Sequence, residues 1–297
     1  MDICVFGAGS LGSLIGGLLA DTHEVTLVGR DPHVGVVDTK GLCLSGAVDR
    51  HVSPTGRTAV PQAADLGVVT VKSFDTSVAA RELATADLDA VLSLQNGMGN
   101  EAALATRLDS PVLAGTCTYG ARLRDPGHVE CSGLGEVVLG AREGGESALA
   151  DRVGTAFDDG GLATTVSTEM PRRLWEKLTV NAGINAATAL ARVPNGALTD
   201  DPGASVTRRA AREAARVART QGVSVDADEA AKQAVAVADA TARNRSSMLQ
   251  DIEAGRRTEI AAINGYVVEH ASQPVPVNET LTALVRTWEA EHGHLES

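Results

Sequence analysis

The stretch Ile3-Cys4-Val5-Phe6-Gly7-Ala8-Gly9-Ser10-Leu11-Gly12 decides the fold. Its first four residues are a short apolar run, the pattern of a buried strand, and the residues after Gly12 read as helix through Ala20. Glu24 to Val28 is then a second strand. The segment is therefore strand, glycine turn, helix and strand, about the length of a mononucleotide-binding half. In such a turn Gly7 permits the tight bend, Gly9 lets the backbone approach a pyrophosphate, and Gly12 lets helix and strand pack closely. With Ala8, Ser10 and Leu11 filling the turn, the helix N-terminus offers unpaired N–H groups and a partial positive charge to phosphates. A lone GxGxxG is a weak signal; between a strand and a helix it indicates dinucleotide binding.

The end of the second strand separates NAD from NADP, because an acid there binds the ribose 2'-hydroxyl and a cation accommodates a 2'-phosphate. The chain reads Val28-Gly29-Arg30-Asp31. Arg30 favours NADP, Asp31 follows it directly, and the alternative for Arg30 is a solvated surface charge.

Further strands read at Leu66 to Val71, Ala90 to Leu94 and Val112 to Thr116, with helical segments from Thr76 and Glu101 between them. That alternation implies a parallel sheet with helices on both faces. From Gly120 to Gly140 short strands punctuated by glycine suggest an antiparallel extension at the sheet edge, followed by a helix near Ser147 to Phe157 and a strand near Ala163 to Val166. After Glu169 strand signals almost vanish. Helical periodicity runs over Glu169 to Leu190, Pro202 to Gln221, Asp226 to Arg243, Ser247 to Ala254, Glu259 to Ala271 and Asn278 to His292, with Pro, Gly or Asn breaks between. The expected architecture is an α/β Rossmann-type domain over residues 1 to 168 and an all-α domain over 169 to 297.

At 297 residues the chain is long enough for two real cores, and its 43% hydrophobic and 22% charged content is that of an ordinary globular protein. A formal net charge of -12 argues against a nucleic-acid backbone as partner. Of the 26 basic residues only Lys40, Lys72, Lys177 and Lys232 are lysines. An acidic, Lys-poor chain suits a salt-rich cytoplasm, although high genomic GC content also exchanges Lys for Arg. Cys4, Cys43, Cys117 and Cys131 show no CxxC spacing and no adjacent His pair, so no zinc site and no disulfide scaffold is expected. The first strand begins directly after Met1-Asp2, and no apolar run reaches membrane-spanning length, so a soluble cytoplasmic protein is expected.

Three polar residues stand out in the largely apolar run Leu174 to Leu190: Lys177, Asn181 and Asn185. Residues four apart on a helix lie nearly above one another, so they form one polar stripe. An ammonium and two carboxamides are costly to bury without partners, and the stripe is expected to line a wet cleft; the alternative is a solvated helix face. Lys72 and the turn Gln95-Asn96-Gly97 each follow an apolar strand, at the C-terminal ends where open α/β sheets place ligands. His128 reads as structural or exposed. No Ser/His/Asp arrangement and no metal cluster is apparent.

Together the GAGSLG start, Lys72, Gln95-Asn96-Gly97, Leu174-Trp175-Glu176-Lys177-Leu178 with Asn181 and Asn185, Pro194-Asn195-Gly196, Ser246-Ser247-Met248-Leu249-Gln250-Asp251, and Thr258-Glu259-Ile260 with Ile263-Asn264-Gly265 resemble the ketopantoate reductases nearly end to end. The resemblance implies reduction of ketopantoate to pantoate, with Lys177 as the general acid that protonates the ketone oxygen. It implies that Glu259, grouped with Lys177 as catalytic, binds and orients the substrate, that Asn96, Asn181, Asn185 and Ser247 contact its oxygens, and that Asn195, which matches the family's asparagine in the same loop, also binds substrate. Gly7, Ala8, Gly9, Ser10, Leu11, Gly12, Arg30, Lys72, Asn96 and Glu259 would hold the cofactor, expected to be NADPH with NADH as the alternative. The expected partner is the small-molecule substrate, with no nucleic acid, membrane or metal, and with room for a homodimer. Competing readings are a relative reducing another 2-oxo acid or an imine, and a module that senses NAD(P) without turnover. A positioned proton donor argues against the sensor.

Overall fold

A computed structural model describes residues 1–294. The chain divides into two compact units, one of Met1–Gln95 with Gly99–Met170, the other of Asn96–Met98 with Pro171–Ser297.

The first unit runs β1 (Asp2–Phe6), α1 (Ser10–Leu19), β2 (Glu24–Val28), α2 (His33–Lys40), β3 (Leu42–Gly46), β4 (Arg50–Val52), β5 (Thr55–Arg57), β6 (Ala63–Val69), α3 (Thr76–Leu83), β7 (Asp87–Ser93), α4 (Asn100–Ala105), β8 (Val112–Cys117), β9 (Gly120–Asp125), β10 (His128–Gly133), β11 (Val137–Ala141), α5 (Ala148–Asp159) and β12 (Thr164–Val166). Eight strands form one sheet in the order β12-β11-β8-β7-β6-β1-β2-β5. All its pairings are parallel except β11 with β8. Strands covered on both faces need apolar side chains in both directions, which explains the unbroken runs in β1, β6 and β7. Ile3, Cys4 and Val5 are all fully buried. Burial, helped by Asp2, pushes the Cys4 thiol up to about 12, so it is a core residue without thiolate character.

Two expectations are corrected here. The region from Gly120 to Gly140 does not extend one sheet edge as a block, since only β11 joins the main sheet. β9 and β10 leave it for a four-stranded sheet, order β4-β3-β10-β9. The segment after Arg30 also contains α2 and β3 to β5, which no sequence signal announced. Their purpose is local: β3 pairs with β10, and β5 extends the main sheet beyond β2. His128 is structural, its Nε2 lying 2.8 Å from Ser45 Oγ between β10 and β3.

The second unit is helical: α6 (Met170–Ala191, from Pro171 onward in this unit), α7 (Gly203–Thr220), α8 (Ala227–Ala240), α9 (Ser247–Glu253), α10 (Tyr266–Glu269) and α11 (Pro276–Glu291). α7 buries Ala204, Ala210, Ala211, Ala214, Ala215 and Ala218, and α8 buries Ala230, Ala231, Ala234 and Ala238, so small side chains let the two helices pack closely. Asp226 starts α8 by accepting hydrogen bonds from the amides of Asp228 and Glu229. The single helix expected over Glu259 to Ala271 is instead a turn at Glu259 and Ile260, a π-helical turn over Ala261–Gly265 and the short α10. None of the helices is long and apolar enough to cross a membrane among the described residues, and no group of three or more His, Cys, Asp or Glu there could hold a metal ion.

Candidate active site

In the first unit the glycine turn lies at the C-terminal end of β1, beside the switch from β2 on one side to β6 on the other. The amides of Gly7 and Ala8 both donate to the Val28 carbonyl at 2.9 Å, which folds the turn back onto β2. Gly7 has φ +116°, and a Cβ there would come within 2.7 Å of the Val71 nitrogen. A Cβ on Gly12 would meet the Gly7 carbonyl oxygen at 2.2 Å. Both positions therefore need glycine. Gly9 differs, since the nearest atom to a Cβ there is 3.9 Å away and the residue is exposed. The amides of Ser10, Leu11 and Gly12 have no acceptor among the described residues, and no side chain caps α1. An open glycine over three unpaired helix-terminal amides fits a pyrophosphate. The Ser10 hydroxyl accepts from the Leu123 amide at 3.0 Å, which leaves its O–H to donate to a ligand beside the backbone amide; Leu11 packs its side chain on the core.

At the end of β2 the two opposite charges separate. Asp31 turns onto α2, where its Oδ1 accepts from the Gly35 amide at 3.1 Å. Arg30 is exposed, with no hydrogen bond or ion pair to its guanidinium among the described residues. Arg57, exposed at the end of β5, aligns with Val28 across the parallel pair, and its carbonyl accepts from the Gly29 amide at 3.0 Å. This second cation beside the β2 terminus was missed from sequence because β5 gave no strand signal. Lys72, half-buried, ends the β6 segment and starts a 3-10 turn over Ser73–Asp75.

The turn Gln95-Asn96-Gly97 divides. Gln95 is buried and its amide donates to the Val71 carbonyl at 3.1 Å and Thr76 Oγ1 at 2.7 Å, so this side chain braces the loop after β6 and does not serve as a donor for ligand. Asn96–Met98 group with the second unit. There the Met98 amide donates to the Ala262 carbonyl at 3.0 Å. Gly97 has φ +82°, and a Cβ on it would stand 2.6 Å from Ala262 Cβ. The tip that carries Asn96 is thus strapped to the π-helical turn that follows Glu259.

Within the second unit α6 presents Lys177 and Asn181 half-buried and Asn185 buried, one above the next. Neighbours on the helix bury Leu178, Ala182, Ala186 and Ala189 in the core. Glu176, next to Lys177, faces Arg172 at 2.8 Å and Arg173 at 3.4 Å. Thr188 Oγ1 donates to Ser246 Oγ at 2.8 Å, and Ser246 Oγ accepts the Leu249 amide at 3.1 Å. Ser246 therefore caps α9 and fastens its first residue, the half-buried Ser247, to α6 just beyond Asn185. Asn195 is buried in a 3-10 turn with its Nδ2 donating to Thr241 Oγ1 at 2.9 Å and its amide to the Asn244 carbonyl at 2.9 Å. Its Nδ2 thus ties the turn to the end of α8, while its buried Oδ1 has no hydrogen-bond partner among the described residues.

Glu259 is 4% exposed. Its carbonyl accepts from the Ala262 and Ile263 amides at 3.1 and 3.2 Å as the π-helical turn begins. Such turns widen the helix by one residue and recur at functional sites. Asn264, fully buried in the same turn, donates to the Ala182 carbonyl on α6 at 3.0 Å and to Asn278 Oδ1 at 2.9 Å. The stripe-bearing helix, the Glu259 turn and the Asn96 tip are thus held as one assembly within the unit. Arg256, three residues before Glu259, engages Asp251 at 3.2 Å.

Sequence models of one family match both parts of the chain: "Ketopantoate reductase PanE/ApbA" over residues 3–144 and "Ketopantoate reductase PanE/ApbA C terminal" over residues 169–289. The 2-dehydropantoate 2-reductase of Halobacterium salinarum is 45% identical, covering 96% of this chain and 98% of its own. Among solved structures, a PanE/ApbA family ketopantoate reductase from Ralstonia eutropha superposes with a TM-score of 0.90 at 32% identity over 99% of this chain and 100% of that one. A D-mandelate dehydrogenase in complex with NADH gives a TM-score of 0.87 at 26% identity over 100% of both chains.

Proposed function

The chain belongs to the ketopantoate reductase family, and from that premise we propose that it reduces 2-dehydropantoate to pantoate with NADPH. The observation that carries the substrate half is the buried carboxylate of Glu259, set at a π-helical turn that also straps the Asn96 tip. A bound nicotinamide would supply the hydride. Lys177, as an ammonium, stabilises the negative charge that develops on the ketone oxygen and gives it a proton. Asn181, Asn185, Asn195, Asn96 and Ser247 orient the substrate oxygens. Glu259 receives the 4-hydroxyl. The backbone of the Gly7–Gly12 turn holds the pyrophosphate, with Lys72 nearby. Arg30 and Arg57 face a 2'-phosphate, and Asp31 is turned onto α2.

A panel of 2-oxo acids with both nucleotides tests this reading. kcat/KM for ketopantoate is expected to exceed that for a branched 2-oxo acid lacking the 4-hydroxyl by about 10²-fold or more, since a site built to hydrogen-bond a substrate hydroxyl discriminates against an analogue without it. The likeness to D-mandelate dehydrogenase favours one alternative, an aryl 2-oxo acid. Preference for that substrate over ketopantoate would overturn the proposal.

A further inference from the structure

A carboxylate inside a helix that packs on Val, Ile and Ala is costly to bury unless donors reach it. Glu289, in the last turn of α11, is 2% exposed. Both of its side-chain hydrogen bonds among the described residues go to one residue in a different segment. The Thr258 amide donates to Glu289 Oε1 at 2.8 Å, and the Thr258 hydroxyl donates to the same oxygen at 2.7 Å. The hydroxyl oxygen in turn accepts from the Ile260 amide at 3.2 Å. One charged oxygen therefore fixes the backbone on both sides of Glu259, through two charge-assisted bonds and one relayed bond. Beyond Ile260, the π-helical turn holds the Glu259 carbonyl through the Ala262 and Ile263 amides. Glu259 sits between two clamps, and the first has no other task visible in the fold.

We propose that Glu289 is a positioning residue for Glu259, acting through Thr258 to set where the Glu259 carboxylate meets the substrate hydroxyl. The inference rests on the reading of Glu259 given above. It follows that Glu289 governs recognition of the hydroxyl and leaves the chemistry at the ketone alone.

Steady-state kinetics on the full-length protein test this with Glu289→Ala, Glu289→Gln and Thr258→Val, each alone and the first also combined with Glu259→Gln. Glu289→Ala and Thr258→Val are expected to raise KM for ketopantoate about tenfold or more, the effect of misplacing a buried hydrogen-bonding group. The rate on a 2-oxo acid without the hydroxyl should stay within about twofold. Glu289→Gln keeps an acceptor oxygen and should recover most of the loss. In the Glu259→Gln background Glu289→Ala should add less than about twofold, because residues acting through one another are not additive. If Glu289→Ala does not fold, Thr258→Val carries the test, since it removes the hydroxyl and keeps the amide bond to Glu289. Equal losses on both substrates, or full additivity in the double variant, overturn the proposal. A normal substrate ratio in Glu259→Gln overturns the reading of Glu259 and the clamp with it; a lowered ratio there beside unchanged Glu289→Ala and Thr258→Val overturns the clamp alone.

Discussion

Arg30 and Asp31 carry the proposed preference for NADPH, and one hydrogen bond distinguishes them. A carboxylate and a guanidinium side by side at the end of β2 point to opposite cofactors, and the Asp31 bond to the Gly35 amide turns that carboxylate onto α2, while the guanidinium makes no such bond among the described residues. Arg30→Ala is therefore expected to lower the ratio of kcat/KM for NADPH over NADH by about ten- to a hundredfold, the worth of a hydrogen bond to a charged group. Asp31→Asn should leave the ratio within about twofold, because the amide oxygen can still accept from Gly35. Steady-state kinetics with both nucleotides checks the pair. His33 makes a second prediction at this scale. It is buried, the Gly127 amide donates to its Nδ1 at 3.0 Å, and its Nε2 therefore donates to Ser13 Oγ at 2.8 Å. Burial holds its pKa below the ordinary 6.5. The unfolded chain thus takes up the proton first as pH falls, so the stability His33 contributes is full above about pH 6.5 and declines below it. The urea midpoint of wild type should fall toward that of His33→Gln between about pH 7.5 and pH 5, and a constant gap would refute the coupling.

At the scale of elements, legibility followed periodicity. β1, the glycine turn and α1 were legible because an apolar run, a GxGxxG and a helical pattern follow in order, and the stripe on α6 was legible because a 22-residue helix repeats the spacing of four without interruption. β4 and β5 are three residues each, and their sequences Arg-His-Val and Thr-Gly-Arg have no period to detect; pairing with β3 and β2 makes them strands. The glycine-rich strands after Gly120 had visible alternation, but alternation does not say which sheet a strand joins. The π-helical turn was invisible because one inserted residue shifts a helical pattern without erasing it. Of the candidate site, residue types and spacing were readable. The hydrogen bonds of Gln95, Asn195 and Glu289 were not, since each reaches a distant segment. The strap between Gly97 and Ala262 carries a prediction at this scale. Gly97→Ala imposes a left-handed backbone on alanine, costing about 1–3 kcal/mol, and drives a methyl into Ala262. The Asn96 tip should shift, raising KM for ketopantoate several-fold while the nucleotide dissociation constant changes less. An equal rise in both would show that the tip does not serve the substrate.

Across the whole molecule, 38 acidic against 26 basic residues leave an excess of like charge that opposes compaction. Salt shortens the reach of that repulsion from about 10 Å at 0.1 M to about 3 Å at 1 M. Tm should rise between those two KCl concentrations; a flat or falling Tm would show that the acidic surface does not limit stability. The reaction itself depends on one group more than on any other. Lys177 stands on α6, in the unit that also holds Glu259 and the Asn96 tip, and the proposed function makes its ammonium the proton donor that ketone reduction requires. The most direct measurement is ketopantoate-dependent NADPH oxidation by Lys177→Ala beside a fluorescence titration of NADPH binding. Nucleotide affinity is expected to stay within about twofold of wild type while turnover falls about 10²- to 10⁴-fold, the range for losing a positioned general acid. Wild-type turnover in that variant would contradict the assignment of Lys177.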